Sequence, residues 1–284
     1  MPELAEVLIT SEYVNEQAEG RVFHAIRKNP NHKGLEIETP WPFRMQSISR
    51  GKELLLILTP AHQPVSDFEF DEHLSIVMTM GMSGHFKWVE PGVHEKHAHL
   101  MFKSDAGDLA FVDPRRFGKW KLGQFSKDRS PDPLRAWKPF KQNILANLHK
   151  KDFDKPIHTV LMNQKYFNGI GNYLRAEILH RVPDLNPFTD ARTALKQYPE
   201  LFELCNIIPT QAYMLGGGQL KDWSNPFSQH EPESWESFMK CYGNKDMSFV
   251  IDATGRRFWY DSKWDRNDDH ICYYSGLPSV QSYQ

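Results

Sequence analysis

The sequence predicts an α+β protein in which an N-terminal helix and a β-sandwich precede a helical C-terminal region. Three observations support this fold class. Apolar residues have helical spacing over residues 3–19, short apolar runs separated by turn residues follow over 22–123, and helical spacing returns from 143 to 240. The length of 284 residues fits one large domain or two ordinary ones, and a content of 40% hydrophobic and 25% charged residues is that of a globular protein.

The first predicted helix has features that also bear on chemistry. Pro2 is tolerated in a first helical turn, and Gly20 is a stop signal. Glu3 and Glu6 place negative charge near the positive end of the helix dipole. Removal of Met1 would free the amine of Pro2, and an α-amino group, with a pKa near ~8, is a nucleophile for carbonyl-like carbons. The alternative interpretation is that a proline at position 2 reflects methionine processing alone.

Strands are expected after this helix. The runs 48–58 and 74–80 are apolar and short enough for buried strands, and 99–122 is predicted to form two strands around a turn at 104–108. A linker follows, because three prolines interrupt the charged stretch 127–142. The predicted units are the N-terminal domain 1–126, the linker 127–142, the helical domain 143–240, a hairpin at 241–262 and a tail at 263–284.

Composition excludes several classes of protein. A formal net charge of −2 argues against a protein that coats nucleic acid, although a local basic surface is compatible with it. The sequence has no apolar run close to the ~18 residues of a membrane-spanning helix, and its start lacks the pattern of a secretory signal. We therefore expect an intracellular protein without a membrane partner.

Cysteine and histidine patterns do not predict a metal or another cofactor. Cys205, Cys241 and Cys272 lie far apart and form no CxxC pair, so we expect neither a zinc site nor a disulfide framework. His97 and His99 would share one face of a strand, as two metal ligands can. With no cysteine nearby and no HExxH motif, a polar loop and strand start is the favoured interpretation.

The most specific internal pattern joins two predicted helices through a glycine-rich turn in residues 153–179. Asp154 is expected to cap the first helix and Asn172 the second. Gly169 and Gly171 permit positive φ and the close approach of another backbone. Unpaired amides at such a helix start would form a phosphate site, whereas an ordinary helical hairpin is the alternative.

Four blocks of sequence resemble the formamidopyrimidine-DNA glycosylase/endonuclease VIII family of base-excision repair enzymes. They are PELAEV at 2–7, RGKEL at 50–54, FVDPRRFG at 111–118 and NGIGNYLRAEIL at 168–179, and they occur in the order of the family. The last block resembles the family's helix–two-turn–helix (H2TH) motif. Within the family the similarity is greatest to the endonuclease VIII-like 1 type of eukaryotes, which implies DNA in the cleft between the two domains.

This similarity also implies a "zincless finger" at residues 241–262. Most of the family has two CxxC pairs here, whereas Cys241-Tyr242-Gly243 is followed by two potential strands without cysteine pairs. The turn of this hairpin would present Arg256 to a DNA phosphate, and a solvated arginine is the alternative.

The resemblance implies a set of catalytic residues. Pro2 would be the nucleophile on the deoxyribose C1′, and Glu3 would protonate the sugar ring oxygen. Lys52 would assist base departure or stabilise the adjacent phosphate, although alone it would be interpreted as a solvated strand lysine. Glu6 would orient the N-terminus and the sugar. β-Elimination and then δ-elimination would follow from the Schiff base.

Other residues are implied to bind DNA. Met82, Arg115 and Phe117 would fill the space that an extruded nucleotide leaves, since apolar wedges and a planar guanidinium can replace lost stacking. For Met82 the alternative is core packing at a strand end. Asn172, Arg256 and Arg116 complete the set of expected DNA-binding residues.

The implied function is a bifunctional DNA glycosylase and AP lyase. We expect it to act as a monomer on oxidised pyrimidines and formamidopyrimidines in double- or single-stranded DNA. The nucleus is the expected location, with mitochondrion and cytoplasm as alternatives. Preference for 8-oxoguanine and a catalytically silent lesion-binding module are alternative functions.

The chain departs from the family at several positions. Ala5 replaces the usual proline, and Gly218 stands where the vertebrate type has a basic residue. The loop 213–221 is the expected lesion-facing loop, with Lys221 only a weak substitute for that basic residue. The acidic end of the chain replaces the basic tail of the vertebrate type.

Overall fold

A computed structural model of the protein describes residues 2–62, 73–218 and 232–265 and has the predicted α+β architecture. Helix α1 is Leu4–Ala18, so the prediction of 3–19 is confirmed to within one residue at each end. Pro2 therefore precedes the helix instead of occupying its first turn. Glu3 is the N-cap, and its backbone N–H donates to the Glu6 carboxylate at 2.8 Å, which satisfies one of the free amides at the helix start.

The predicted strands form one antiparallel sheet in the order β5-β7-β6-β1-β2-β3-β4-β8. The strands are β1 (Phe23–Lys28), β2 (Phe43–Arg50), β3 (Glu53–Pro60), β4 (Leu74–Thr79), β5 (His85–Val89), β6 (Ala98–Ser104), β7 (Gly107–Val112) and β8 (Lys119–Leu122).

Two of the strand predictions need correction. The run 48–58 is not one strand, because a two-residue turn at Gly51 and Lys52 divides it between β2 and β3. Gly51 has φ +58°, a conformation that favours glycine. The run 99–122 contains a third strand, β8, beyond the two predicted.

The sheet folds over itself into a sandwich around an aromatic core. Phe111 on β7 and Trp120 on β8 come from distant positions in the strand order, yet their rings are 6.0 Å apart. Phe86 packs against both Phe111 and Phe102, and all three side chains are buried. Alternating burial along β2 shows that one face of the sheet is covered while the other meets solvent.

The C-terminal region is helical, as predicted. Its helices are α2 (Trp137–Asn147), α3 (Ile157–Val160), α4 (Asn172–His180), α5 (Ala191–Gln197), α6 (Glu200–Met214) and α7 (Pro232–Phe238). Helix α2 begins inside the stretch predicted as a linker, and the domain boundaries themselves remain predictions. None of the helices within the described ranges is long and apolar enough to cross a membrane.

Asp154 does not cap α3, contrary to the prediction. It ends a short 3-10 turn, Lys151–Asp154, and Pro156 occupies the N-cap position. The carboxylate of Asp154 instead pairs with the Arg192 guanidinium at 2.5 Å. The extended backbone that precedes Pro156 separates Asp154 from the helix start.

Helix α1 belongs to both hydrophobic cores. Val7 and Val14 pack in the sandwich core, whereas Leu4 and Ala5 pack in the core of the C-terminal helices. The beginning of the chain therefore lies where the two cores meet.

A hairpin of β9 (Ser248–Ile251) and β10 (Arg257–Tyr260) completes the described structure and confirms the predicted hairpin element. It packs against α4 through Phe258, which is fully buried. The Arg175 guanidinium lies 4.9 Å from the Phe258 ring and donates to the Asp252 carboxylate at 2.7 Å. These contacts fix the hairpin turn relative to the start of α4.

Candidate functional site

A cleft of about 540 Å³ lies between the start of α1, the start of α4 and the hairpin. Five of the candidate catalytic and DNA-binding residues line it, although they come from distant parts of the chain: Glu3, Glu6, Met82, Asn172 and Arg256. Pro2 is buried directly before Glu3. The cleft is therefore the candidate site.

Glu3 lies at the centre of this site. Its carboxylate accepts the backbone N–H of Tyr173 at 3.0 Å and that of Leu174 at 3.3 Å, at the start of α4. Gly171 leaves room for this contact, because a Cβ at that position would overlap the Glu3 carboxyl group. Burial raises the pKa of Glu3, and the nearby positive charge of Lys52 opposes the shift.

This contact corrects two predictions about the second helix of the segment 153–179. The N-cap of α4 is Gly171, and Asn172 is the first helical residue. The amides of Tyr173 and Leu174, at the helix start where a phosphate site was expected, are occupied by a carboxylate of the protein itself. The positive end of the α4 dipole thus stabilises the charged form of Glu3.

Lys52 reaches the site from the β2–β3 turn. The N–H of Gly51 in this turn donates to the Asp132 carboxylate at 3.0 Å, and its Cα packs against the Asn168 side chain. Lys52 Nζ donates to the Ile170 carbonyl at 2.8 Å. Burial lowers the pKa of Lys52 to about 8, although the charge of Glu3 acts in the opposite direction.

Glu6 organises the first residues of the chain. Besides the N–H of Glu3, its carboxylate accepts the Tyr173 hydroxyl at 2.9 Å and the N–H of Gly218 at 2.8 Å. Burial and the nearby carboxylates of Glu6 and Glu3 raise the pKa of Tyr173 well above its usual range, which keeps the phenol protonated as a donor. Gly218 is the last described residue of the predicted lesion-facing loop.

Asn172 and Arg256 meet at the hairpin side of the cleft. Asn172 Nδ2 donates to the Arg257 carbonyl at 2.9 Å, while its Oδ1 accepts from Arg175 at 2.5 Å. The N–H of Arg256 donates to the Asp252 carboxylate at 3.1 Å, inside the hairpin turn. Both residues are thereby held at the cleft wall, and Arg256 brings a side chain with a fork of N–H donors to the cleft lining.

Asp252 keeps a negative charge in this turn. Burial alone would raise the pKa of Asp252, but hydrogen bonds from the Thr254 side chain, Arg175 and two backbone amides outweigh it and lower the pKa to about 2. The ion pair with Arg175 is almost inaccessible, with the two side chains 8% and 1% exposed. It locks the turn that carries Arg256.

Arg115 and Phe117 lie on the loop between β7 and β8 and outside the cleft lining. The Arg115 guanidinium is 5.2 Å from the Phe117 ring, and 54% of Phe117 is exposed. Arg116 has φ +59° and is exposed too. The pKa of His32 is lowered mainly by burial, and the positive charge of Arg116 contributes to this shift. Arg116 thus does not join the cleft residues.

The sequence interpretation missed residues that hold the site together. Tyr173 positions Glu6, and Arg175 positions Asn172. The fully buried Glu177 accepts the N–H groups of Cys241 at 2.9 Å and Tyr242 at 2.8 Å, where the chain enters the hairpin. The sequence carried a signal for them, because an arginine and a glutamate among the apolar residues of a short helix need partners if the helix is buried.

Some predictions fall outside the described residues. Lys221, Cys272 and most of the predicted tail 263–284 lie there, and so does Met1. Among residues 2–62, 73–218 and 232–265, His, Cys, Asp and Glu form no group of three or more that could hold a metal. Burial raises the pKa of the Cys241 thiol to about 12, which disfavours the thiolate.

Comparison with known proteins identifies relatives along most of the chain. Residues 1–120 match the family model of the formamidopyrimidine-DNA glycosylase N-terminal domain. Human endonuclease 8-like 1 is 35% identical over 297 positions, which cover 92% of this chain and 72% of the human protein. Formamidopyrimidine-DNA glycosylase of Xanthomonas axonopodis pv. citri is 28% identical, with 86% of this chain and 89% of that protein covered.

The fold is also similar to that of solved structures of such proteins. The crystal structure of MutM (Fpg) from Thermus thermophilus superposes with a TM-score of 0.73 at 22% identity, covering 93% of this chain and 98% of that one. This similarity confirms the predicted fold. Together with the 35% identity to a human relative over most of both chains, it shows that the chain belongs to the formamidopyrimidine-DNA glycosylase/endonuclease VIII family.

Proposed function

We propose that the protein is a bifunctional DNA glycosylase and AP lyase that removes oxidised bases, mainly oxidised pyrimidines and formamidopyrimidines. The observation that carries the proposal is the burial of the Glu3 carboxyl directly after Pro2, within the electrostatic reach of Lys52. A binding module would have no need for an acid with a raised pKa beside a potential amine nucleophile. The relatives named above support the same class of activity.

In the proposed mechanism the amine of Pro2 attacks the deoxyribose C1′ after Met1 is removed. Glu3, with its raised pKa, donates a proton to the sugar ring oxygen as the ring opens. Lys52 provides the positive charge that assists base departure. The iminium that forms acidifies the C2′ hydrogen, so its loss breaks the 3′ C–O bond, and δ-elimination then breaks the 5′ bond.

Positioning of DNA is assigned to the rest of the candidate residues. Asn172, Arg256 and Arg116 contact phosphates. Extrusion of the damaged nucleotide costs roughly a few kcal/mol. We name Met82, Arg115 and Phe117 the wedge, because they fill the stack after the nucleotide has left it. A monomer is sufficient for this scheme, and we propose that it works in the nucleus.

Borohydride trapping tests the covalent step. The protein, with a free Pro2 amine verified by mass spectrometry, is incubated with a duplex that carries an abasic site and is then reduced. We expect a covalent protein–DNA complex. Chains that retain Met1 provide the matched control, because they have an amide at Pro2 and should not be trapped. Absence of a complex with the processed protein would rule out the Schiff base.

A panel of lesions tests the substrate assignment. Duplexes with oxidised pyrimidines, formamidopyrimidines or 8-oxoguanine are compared under single-turnover conditions. Faster release of 8-oxoguanine than of the other lesions would contradict the proposed preference. Trapping on an abasic site without base release from any lesion would restrict the protein to a lyase.

A further inference from the structure

We propose that Ser83 is a positioning residue that joins the two loops of the wedge, so that Met82 enters DNA together with Arg115 and Phe117. The inference rests on the proposed function, because the wedge acts only if a nucleotide is extruded. Met82 lies on the loop between β4 and β5, whereas Arg115 and Phe117 lie between β7 and β8. Neither loop alone carries the complete wedge.

One hydroxyl group connects these loops. Ser83 Oγ donates to the Asp113 carboxylate at 2.5 Å and accepts the backbone N–H of Arg115 at 3.2 Å. Ser83 directly follows Met82 in the chain. Both polar functions of the hydroxyl are therefore used between the residue after one wedge side chain and the backbone of another.

Asp113, which accepts the Ser83 hydroxyl, is itself held firmly in place. It is fully buried, and its second carboxylate oxygen accepts the N–H of Gly118 at 2.7 Å. Its backbone N–H donates to the His97 carbonyl at 3.0 Å, and His99 Nε2 donates to its carbonyl at 2.8 Å. Because Asp113 is held to β6 through His99 and to the segments next to β6 and β8, the position of Ser83 is tied to the sheet as well.

The loops also touch through their backbones. Gly81 has φ +63°, and a Cβ there would lie 2.5 Å from the Phe117 carbonyl carbon. The wedge side chains point away from this contact, since Met82 lines the cleft and Phe117 is more than half exposed. The two loops thus form one body, joined by the partly buried Ser83 hydroxyl.

The test compares Ser83→Ala and Ser83→Thr with the wild type. Ser75→Ala is the matched control, because it removes another serine hydroxyl that takes part in a hydrogen bond between side chains, here as the acceptor from Gln124. Base release from a lesion in duplex DNA should slow about tenfold in Ser83→Ala, the effect of roughly 1.4 kcal/mol on the barrier. Ser83→Thr keeps the hydroxyl and should retain the wild-type rate, as should Ser75→Ala.

A substrate without a stack separates positioning from chemistry. Cleavage of an abasic site in a single-stranded oligonucleotide needs no wedge and should be unchanged in Ser83→Ala. Equal slowing on both substrates, or no slowing on the duplex, would overturn the inference while leaving the proposed function intact. If the wild type itself cleaves neither substrate, the proposed function fails.

Fluorescence of 2-aminopurine opposite the lesion reports wedge insertion without any turnover. We expect binding of the wild type and of Ser83→Thr to change this signal and binding of Ser83→Ala to change it less. Equal changes for wild type and Ser83→Ala would overturn the inference even in a catalytically silent protein.

Discussion

Lys52 shows how one residue combines three constraints. A glycine turn brings it within electrostatic reach of Glu3, the Ile170 carbonyl accepts from its ammonium, and burial brings its pKa to about 8. An ordinary surface lysine titrates near ~10.4 and holds its proton tightly at neutral pH. The environment of Lys52 therefore makes its positive charge sensitive to pH much closer to neutrality.

The pH dependence of base release should follow Lys52. Its charged form predominates below pH 8 and is lost above it, whereas the amine of Pro2 becomes nucleophilic as pH rises through ~8. We therefore expect a bell-shaped profile with a maximum near pH ~8. Lys52→Arg keeps its charge throughout and should lack the descending alkaline limb in single-turnover assays. A limb that persists in this variant would assign the charge that is lost at alkaline pH to another group.

At the scale of elements, the start of α4 is controlled by a residue 170 positions away in the sequence. Local patterns predicted α1, most strands and the helical region, because apolar periodicity depends on neighbouring residues. The cap of α4 could not be predicted this way, because Asn172 is a favoured N-cap residue. The Glu3 carboxylate, which is distant in sequence, binds the free amides of α4 instead, and this is visible only in the folded structure. The sequence analysis did not predict the β2–β3 turn, although Gly51 is a turn signal within the apolar run.

Gly171 is the residue through which this arrangement can be tested. Its φ of −127° is accessible to alanine, so the effect of a substitution comes from the overlap with the Glu3 carboxyl. In Gly171→Ala we expect both base release and borohydride trapping to slow by about a hundredfold, the effect of roughly 2.7 kcal/mol. Binding to abasic-site DNA should change little, as measured by fluorescence anisotropy.

An appropriate control is Gly92→Ala. A methyl group added at Gly92 would meet no atom of the described residues within 4 Å, but the φ of this glycine is +80°. The variant therefore tests backbone strain of roughly 1 kcal/mol without affecting the cleft. Unchanged trapping in Gly171→Ala would show that Glu3 can leave α4 without loss of its role.

On the scale of the whole molecule, α1 connects two cores that are otherwise built from separate parts of the chain. The relatives and the fold confirm the family and its α+β class, which four short motifs had indicated. The assembly of the site could not be predicted from those motifs alone, because residues such as Arg175 and Glu177 act through buried partners on the hairpin. Their roles depend on packing between distant segments.

Leu4→Ala should weaken the connection between the cores. Leu4 is 1% exposed and packs with the C-terminal helices, so its truncation should lower the free energy of unfolding by about 3 kcal/mol. Val14→Ala truncates the same helix inside the sandwich core and is the control. Urea denaturation followed by tryptophan fluorescence measures both, and abasic-site cleavage should decrease more in Leu4→Ala. If Leu4→Ala and Val14→Ala are equally stable and lose cleavage activity equally, the idea that the start of α1 supports the site more than the rest of the helix is wrong.

The burial of Pro2 has a practical consequence for anyone who produces this protein. Any residue left ahead of Pro2 by an affinity tag would convert the amine into a peptide bond, at a position that is buried in the structure. Purification handles therefore belong at the other end of the chain, and preparations should be checked by intact mass before activity is compared between batches.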